Sequence, residues 1–359
     1  MALLRSIGAR WFEYCSNLGL GLLRCLPPET SHRLTLTILH ALYRLKLLPL
    51  CMHVLRLAHK KAEGKLLSGP VQVMGLQFPN RIGLAAGLDK NADYLQALSH
   101  LGLGFIEIGT VLLRPWSGNS RPRLWRMPKE QALINRLGLP SKGVEHVCKR
   151  LQACVSPSER DWILGINIGK HPLSSWADAE AEYCQMMSAL WEYGDYFTIN
   201  LSCPNLQDRF DPMAKSFLEP LLATLLRTKQ ELETRSGTPK ALCLKLSPDM
   251  SHGQREELVQ VLQQFPVDGV ILTNTTMQHD MHRDGGLSGV PLALHARDSL
   301  SYFDSHLPDC IVRIACGGIH NSQEALQRRQ AGADLVQVYT GLVYGGLAVM
   351  AQMLETLQE

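Results

Sequence analysis

From residue 78 onward one unit recurs eight times: a short apolar run, then a longer amphipathic stretch able to form a helix. The runs occupy 82–86, 105–110, 163–169, 196–201, 241–246, 269–273, 311–316 and 335–339, with helix-forming sequence such as 91–102 and 322–332 between them. Strand and helix in strict alternation demand parallel pairing, and eight repeats close a ring. The expected fold is therefore α/β, a (β/α)8 TIM barrel. A doubly wound open sheet is the competitor, but no G-x-G-x-x-G opens the first helix.

Polar residues sit where the apolar runs end. Lys90 and Asn91 follow the first run, Thr110 ends the second, and Asn167 and Lys170 close the third. Asn200, Cys203 and Asn205 follow the fourth, Lys245 ends the fifth, and Thr273-Asn274-Thr275-Thr276 end the sixth. Gly317-Gly318 and Tyr339-Thr340-Gly341 close the last two. In a barrel all these positions converge on one mouth, where such enzymes build their sites. Turn residues end strands in any fold, but turns do not explain Lys and Asn repeated at the ends of buried strands.

Glycine gathers late in the chain, at Gly285-Gly286-Leu287-Ser288-Gly289, Gly317-Gly318 and Gly341. Backbone amides after the seventh and eighth strands are the usual phosphate seat of this fold, so the ligand is read as phosphorylated. Lysines with Asn and Thr, and few carboxylates, suit a flavin whose reduced ring is anionic. One phosphate seat without a dinucleotide fingerprint points to FMN. No metal is expected, because no Cys/His cluster has metal-ligand spacing; His279 and His282 read as loop histidines.

The segment Asn200-Leu201-Ser202-Cys203-Pro204-Asn205 places a thiol between two amides. Asn supplies neutral donors and acceptors for a flat amide-rich ring, and Pro204 keeps the preceding residue extended. Cys203 is thus a candidate acid or base; the competing reading is an ordinary turn after a core strand.

Residues 1–65 hold ten Lys or Arg against three Glu, a balance of +7 that leaves the remainder at −4. Within 3–26, Leu4, Ile7, Trp11, Cys15, Leu18 and Leu22 recur at helical spacing. Pro27-Pro28 interrupts, and Thr30 or Ser31 can cap a second helix running to about Leu48. The longest uncharged stretches, 14–23 and 34–43, are ten residues each, about half of a bilayer crossing. The expectation is an N-terminal helical hairpin, 1–65, lying on a membrane surface, ahead of a barrel domain, 66–359. Packing against the protein body is the alternative. The ten Cys fall singly, which suits a reducing compartment and no disulfide framework.

With these residues placed, the chain resembles the dihydroorotate dehydrogenases from about residue 28 to 346. The resemblance rests on Ala85-Ala86-Gly87-Leu88-Asp89-Lys90, Ile106-Glu107-Ile108-Gly109-Thr110, Gly165-Ile166-Asn167-Ile168-Gly169-Lys170, Thr273-Asn274-Thr275-Thr276 and the 285–289 glycine segment, in family order. The helical hairpin points to the membrane-associated, quinone-using class 2. The resemblance implies FMN held by Ala86, Gly87, Lys90, Thr110, Asn167, Asn200, Lys245 and Thr273, with its phosphate on Gly289, Gly318, Tyr339 and Thr340. It implies dihydroorotate, or its product orotate, gripped by Lys90, Asn135, Asn200, Asn205, Asn274 and Thr275, with Cys203 as catalytic base. Quinone would arrive through the hairpin, on the cytoplasmic face of a bacterial inner membrane.

Two departures from the family pattern stand out. Class 2 enzymes usually carry Ser at the base position, whereas Cys203 matches the soluble class 1. Where the family has Met-Gly-Phe-Asn-Asn, this chain has Leu137-Gly138-Leu139-Pro140-Ser141. Two other functions compete: a tRNA dihydrouridine synthase with the same barrel, flavin and thiol, and a membrane flavoprotein with altered substrate or lost turnover. The basic residues lie on apolar helices without an RNA-binding module, so no nucleic-acid partner is expected.

Overall fold

The computed structural model describes residues 19, 21–59, 69–154, 156–201 and 211–355. Two helices, α1 (Pro28–Arg44) and α2 (Leu48–His59), precede an antiparallel hairpin of β1 (Val71–Val73) and β2 (Leu76–Phe78). Then come β3 (Ile82–Leu84), α3 (Leu95–Ser99), β4 (Phe105–Val111), two added strands β5 (Leu124–Met127) and β6 (Ala132–Asn135), and α4 (Val144–Gln152). The alternation continues through β7 (Ile163–Ile168), α5 (Ala179–Leu190), β8 (Tyr196–Asn200), α6 (Lys215–Ser236), β9 (Ala241–Leu246), α7 (His252–Gln264) and β10 (Gly269–Leu272). A third added strand, β11 (Gly286–Gly289), precedes α8 (Ala293–His306). The last elements are β12 (Val312–Cys316), α9 (Ser322–Gln330), β13 (Leu335–Val338) and α10 (Thr340–Glu355).

Eight parallel strands close in the order β10-β12-β13-β3-β4-β7-β8-β9, and each arises from one of the eight apolar runs. The fold is the (β/α)8 barrel. Both faces of its sheet are buried, which is why the runs read as continuously apolar. One face (Ile82, Leu84, Ile106, Leu164, Phe197, Leu244) joins the main core beneath the helices. The opposite face fills the barrel with Phe105, Tyr196, Ile271, Ile314 and Leu335. Phe78 from β2 packs edge-on to Phe105 at 5.4 Å between ring centroids. Missing side chains make room for these rings. A Cβ on Gly83 would fall 2.4 Å from the Phe105 ring, and one on Gly165 would fall 2.1 Å from Tyr196.

Several local expectations need correction. After the first barrel strand only Leu95–Ser99 is helical, not 91–102. The Asp89 carboxylate accepts the amides of Asp93 (2.9 Å) and Tyr94 (2.8 Å), which holds the preceding residues in a turn. In the N-terminal region, α1 begins at Pro28 without a side-chain cap, so neither Thr30 nor Ser31 starts it. Proline suits the first helical turn, where an N–H has no intrahelical partner. The helix stops at Arg44, and α2 continues after a sharp bend of 103°. Leu48 and Leu55 of α2 are fully buried in the main core, so this part packs on the body of the protein. Of the expected first arm, 3–26, the residues before 19 and residue 20 lie outside the described residues.

An ion pair fastens α1 to the barrel. Glu29 meets Arg123 at 2.9 Å and Arg121 at 3.0 Å. Burial works against its charge, but the bonds to the two arginines outweigh it and hold the carboxyl below the usual range. No single described helix is long and apolar enough to cross a membrane.

Candidate active site

Two residues along from Phe105, the strand turns a charged side chain into the barrel. Glu107 is fully buried. Its Oε1 accepts from Asn167 Nδ2 at 2.9 Å. Its Oε2 accepts from the Tyr196 hydroxyl at 2.9 Å, Gln337 Nε2 at 2.9 Å and the Thr198 hydroxyl at 3.2 Å. Burial first, and the Glu107 charge second, push the Tyr196 phenol well above its ordinary pKa, so it stays a donor.

With four donors converging on it from three strands, this carboxyl serves as their acceptor. Asn167 must then direct its NH2 at Glu107 and its Oδ1 the other way. That Oδ1 accepts from the Thr110 hydroxyl at 2.6 Å, and the Thr110 oxygen in turn accepts from Asn200 Nδ2 at 2.9 Å. Asn200 Oδ1 ends the chain, buried and without a hydrogen-bond partner among the described residues. The pairing of β4 with β7 slips between Ile108 and Val111, and this irregularity carries Thr110 into the chain. Gly109, at φ 103°, permits it: a Cβ there would fall 2.2 Å from the Asn167 carbonyl oxygen.

Above this layer one cavity opens at the C-terminal ends of the strands. It gathers Ala86, Gly87 and Lys90 from the loop after β3, with Thr110, Asn167, Asn200 and Lys245 from the next strands. Thr273, Asn274 and Thr275 follow β10, and Asn135 arrives on β6. Gly289, Gly318, Tyr339 and Thr340 complete it. Every described residue expected to hold FMN or the substrate therefore lines the same cavity, whereas Asn91, Thr276 and Gly341 from the strand ends do not. Cys203 and Asn205 lie outside the described residues.

The glycines bring backbone against backbone. A Cβ on Gly318 (φ 76°) would meet Ala293 Cα at 2.4 Å, and one on Gly341 would meet the Ile319 carbonyl oxygen at 2.4 Å. The loop after β12 thus lies against the first residue of α8 and the start of α10. Ser288 and Thr340 share a hydroxyl hydrogen bond of 2.8 Å beside it. The 285–289 segment is not a plain loop: as β11 it pairs antiparallel with β6, forming with β5 a three-stranded sheet.

Lys170 does not belong to the cavity. Its ammonium donates to the His171 carbonyl at 3.0 Å and lies 4.8 Å from the Trp176 ring centroid. Sequence reasoning also gave no role to Glu107 and Gln337. The available signal was a charged or amide residue at an inward position of an otherwise apolar strand. The altered 137–141 loop is well fastened: Trp116 Nε1 donates to the Gly138 carbonyl at 2.8 Å, and Trp116 and Ser141 exchange backbone bonds of 2.8 and 2.9 Å. It sets Leu137 and Leu139 on the cavity wall.

The dihydroorotate dehydrogenase family profile matches residues 69–359. The chain belongs to this family. A Cellvibrio japonicus protein curated as dihydroorotate dehydrogenase (quinone) is 40% identical over 333 residues, covering 91% of this chain and 93% of the relative. One from Marinomonas sp. under the same name is 38% identical over 328 residues, with 89% and 90% covered. Among solved structures, the DHODH of Eimeria tenella in complex with ferulenol superposes with a TM-score of 0.77 at 29% identity, covering 91% of this chain and 89% of that one. Within the family the chain sides with the quinone-using class 2. The match favours a dihydroorotate dehydrogenase over a dihydrouridine synthase.

Proposed function

We propose that the chain oxidises dihydroorotate to orotate, the redox step of de novo pyrimidine (UMP) biosynthesis, and passes the electrons through FMN to a membrane quinone. The observation that carries this is the single cavity on which Lys90, Asn167, Asn200, Lys245 and the Gly318–Thr340 backbone converge. The donor set fits FMN. Asn200 Oδ1 and Gln337 Oε1, both on residues of the cavity wall, are buried acceptors without partners among the described residues, as a ring bearing N–H groups would require. Gly289, Gly318, Tyr339 and Thr340 offer the phosphate a seat of backbone amides and a hydroxyl.

Bound there, FMN would accept the hydride from C6 of dihydroorotate and release its electrons to quinone. The chain supplies the rest. Lys90, Asn135, Asn200, Asn205, Asn274 and Thr275 grip the substrate, while Cys203 removes the C5 proton. A thiol is more acidic than the hydroxyl usual in class 2, so it serves as a base without a dedicated relay.

For quinone we propose the apolar cavity of about 620 Å³ between α1 and the barrel. Leu124, Leu133 and Tyr339 line both it and the mouth cavity. Leu22, Leu34, Ile38, Leu45, Leu47 and Leu50 stand exposed around the same helices, which supports membrane-surface attachment. Residues 1–65 would thus form the membrane and quinone-access segment and 66–359 the FMN barrel, working at the cytoplasmic face of a bacterial inner membrane. Anaerobic mixing of the purified yellow protein with dihydroorotate tests the proposal. The flavin absorbance should bleach and recover on adding quinone. A spectrum that dihydroorotate leaves unchanged refutes it.

A further inference from the structure

Behind the Gly317-Gly318 loop lies a charged group that does not reach the cavity. Arg328 on α9 is 0% exposed. Its Nη2 donates to the carbonyls of Gly317 and Ala293, each at 3.0 Å. It therefore ties the loop after β12 to the first residue of α8, the two segments that meet at Gly318. Its Nε donates to Glu324 Oε1 at 2.7 Å, and Glu324 also pairs with Arg297. Arg328 Nη1 has no hydrogen-bond partner among the described residues although it is buried.

The charges do not cancel. Arg297, Glu324 and Arg328 sum to one excess positive charge; Arg328 and Glu324 are shut away from water, while Arg297 reaches solvent. A buried cation with a single shared carboxylate is costly unless something nearby compensates for it. Among the described residues the cations in the cavity wall are Lys90 and Lys245, after β3 and on β9, each two strands away from β12 in the barrel order. We infer that Arg328 is a positioning residue for the phosphate of the cofactor: it fixes the Gly317-Gly318 loop against α8 and supplies, through the Arg297–Glu324–Arg328 triad, the positive charge that makes the seat select a phosphorylated flavin. This rests on the FMN reading above.

Riboflavin, identical to FMN but for the phosphate, separates the charge role from general loop support. In Arg328→Met, full-length and stripped of flavin, FMN affinity should fall by about tenfold or more while riboflavin affinity stays within about twofold. Arg328→Lys, which keeps the charge, should retain most of the preference for FMN. Equal loss of both affinities, or no change in either, overturns the inference. Should Arg328→Met fail to fold, Glu324→Gln decides: it raises the net charge of the triad and leaves Arg328 on Gly317, so the FMN preference should rise, and no change or a fall refutes the charge role. A wild-type protein that carries no FMN would defeat the cofactor reading instead, a different result from wild type and variant sharing one FMN-to-riboflavin preference.

Discussion

Thr110 gives its hydroxyl proton to Asn167 Oδ1 at 2.6 Å and takes a hydrogen bond from Asn200 at 2.9 Å. That one hydroxyl has a single proton to give, so its direction is set from below by Glu107 and passed upward to Asn200. The acceptor that Asn200 presents in the cavity is thus determined at Glu107, three hydrogen bonds away through Asn167 and Thr110.

Breaking the chain should be felt at both ends. Thr110→Val keeps the shape but leaves Asn167 Oδ1 and Asn200 Nδ2 without the hydroxyl. The expected cost is about 1–3 kcal/mol of stability in a denaturant titration. Orotate and flavin should also bind more weakly, because Asn200 becomes free to rotate. Thr110→Ser, which keeps the hydroxyl, should restore most of both. Unchanged orotate affinity in Thr110→Val would show that Asn200 is held by other contacts.

Asp89 gives a pH-dependent prediction. Burial, only partly offset by the Tyr94 and Asp93 amides, raises its pKa from 3.8 to about 6. A carboxyl whose folded pKa lies above the unfolded one stabilises the fold while protonated. Its contribution is complete below about pH 4 and disappears as the pH climbs through about 6. Wild-type stability relative to Asp89→Asn should therefore drop by roughly 2–3 kcal/mol between pH 4 and pH 7. A difference that is flat across that range would place the Asp89 carboxyl in contact with water.

The eight barrel strands are legible in the sequence because parallel strands buried on both faces leave an uninterrupted apolar run. The site is legible for a related reason. Lys245, Asn200 and Thr273 stand at the mouth ends of those runs, where a side chain with polar atoms needs a ligand or partner. Other elements leave weaker marks. The four-residue strands β5, β6 and β11 are too short to announce a sheet, β11 being half glycine besides, and only their mutual pairing defines it. Glu107 reads as an ordinary charge until Asn167, Thr198, Tyr196 and Gln337 are seen converging on it from three other strands. Arg328 is hidden for the same reason, since the carbonyls it holds come from Gly317 and Ala293, distant in the chain.

The N-terminal helices should be separable from the chemistry. Deleting residues 1–45 removes α1 and leaves Leu48 and Leu55 in the core. The truncated protein should still bleach its flavin with dihydroorotate but lose most turnover with a long-tailed quinone, and should no longer float with lipid vesicles. Full quinone turnover without α1 would mean that the acceptor enters by another path than the apolar cavity lined by Leu36 and Leu39.

The thiol makes the sharpest test. If Cys203 removes the C5 proton, Cys203→Ala should slow anaerobic flavin reduction by about 10²-fold or more, the usual scale for losing a general base. Flavin content should not change, because the proposed cofactor contacts lie on Asn200, Lys245 and the glycine loops instead. Cys203→Ser should keep part of the rate, with its optimum moved to higher pH because a hydroxyl gives up its proton less readily than a thiol. Alkylation should inactivate the wild type, and orotate should protect it. The described competitors for the reagent differ in setting: burial raises the thiols of Cys148, Cys154 and Cys184 above their ordinary pKa, which slows their reaction. Cys25 and Cys310 are exposed, and orotate should leave their labelling unchanged. A Cys203→Ala protein that reduces its flavin at the wild-type rate would move the proton transfer to another residue and leave Ser202-Cys203-Pro204 as a turn after β8.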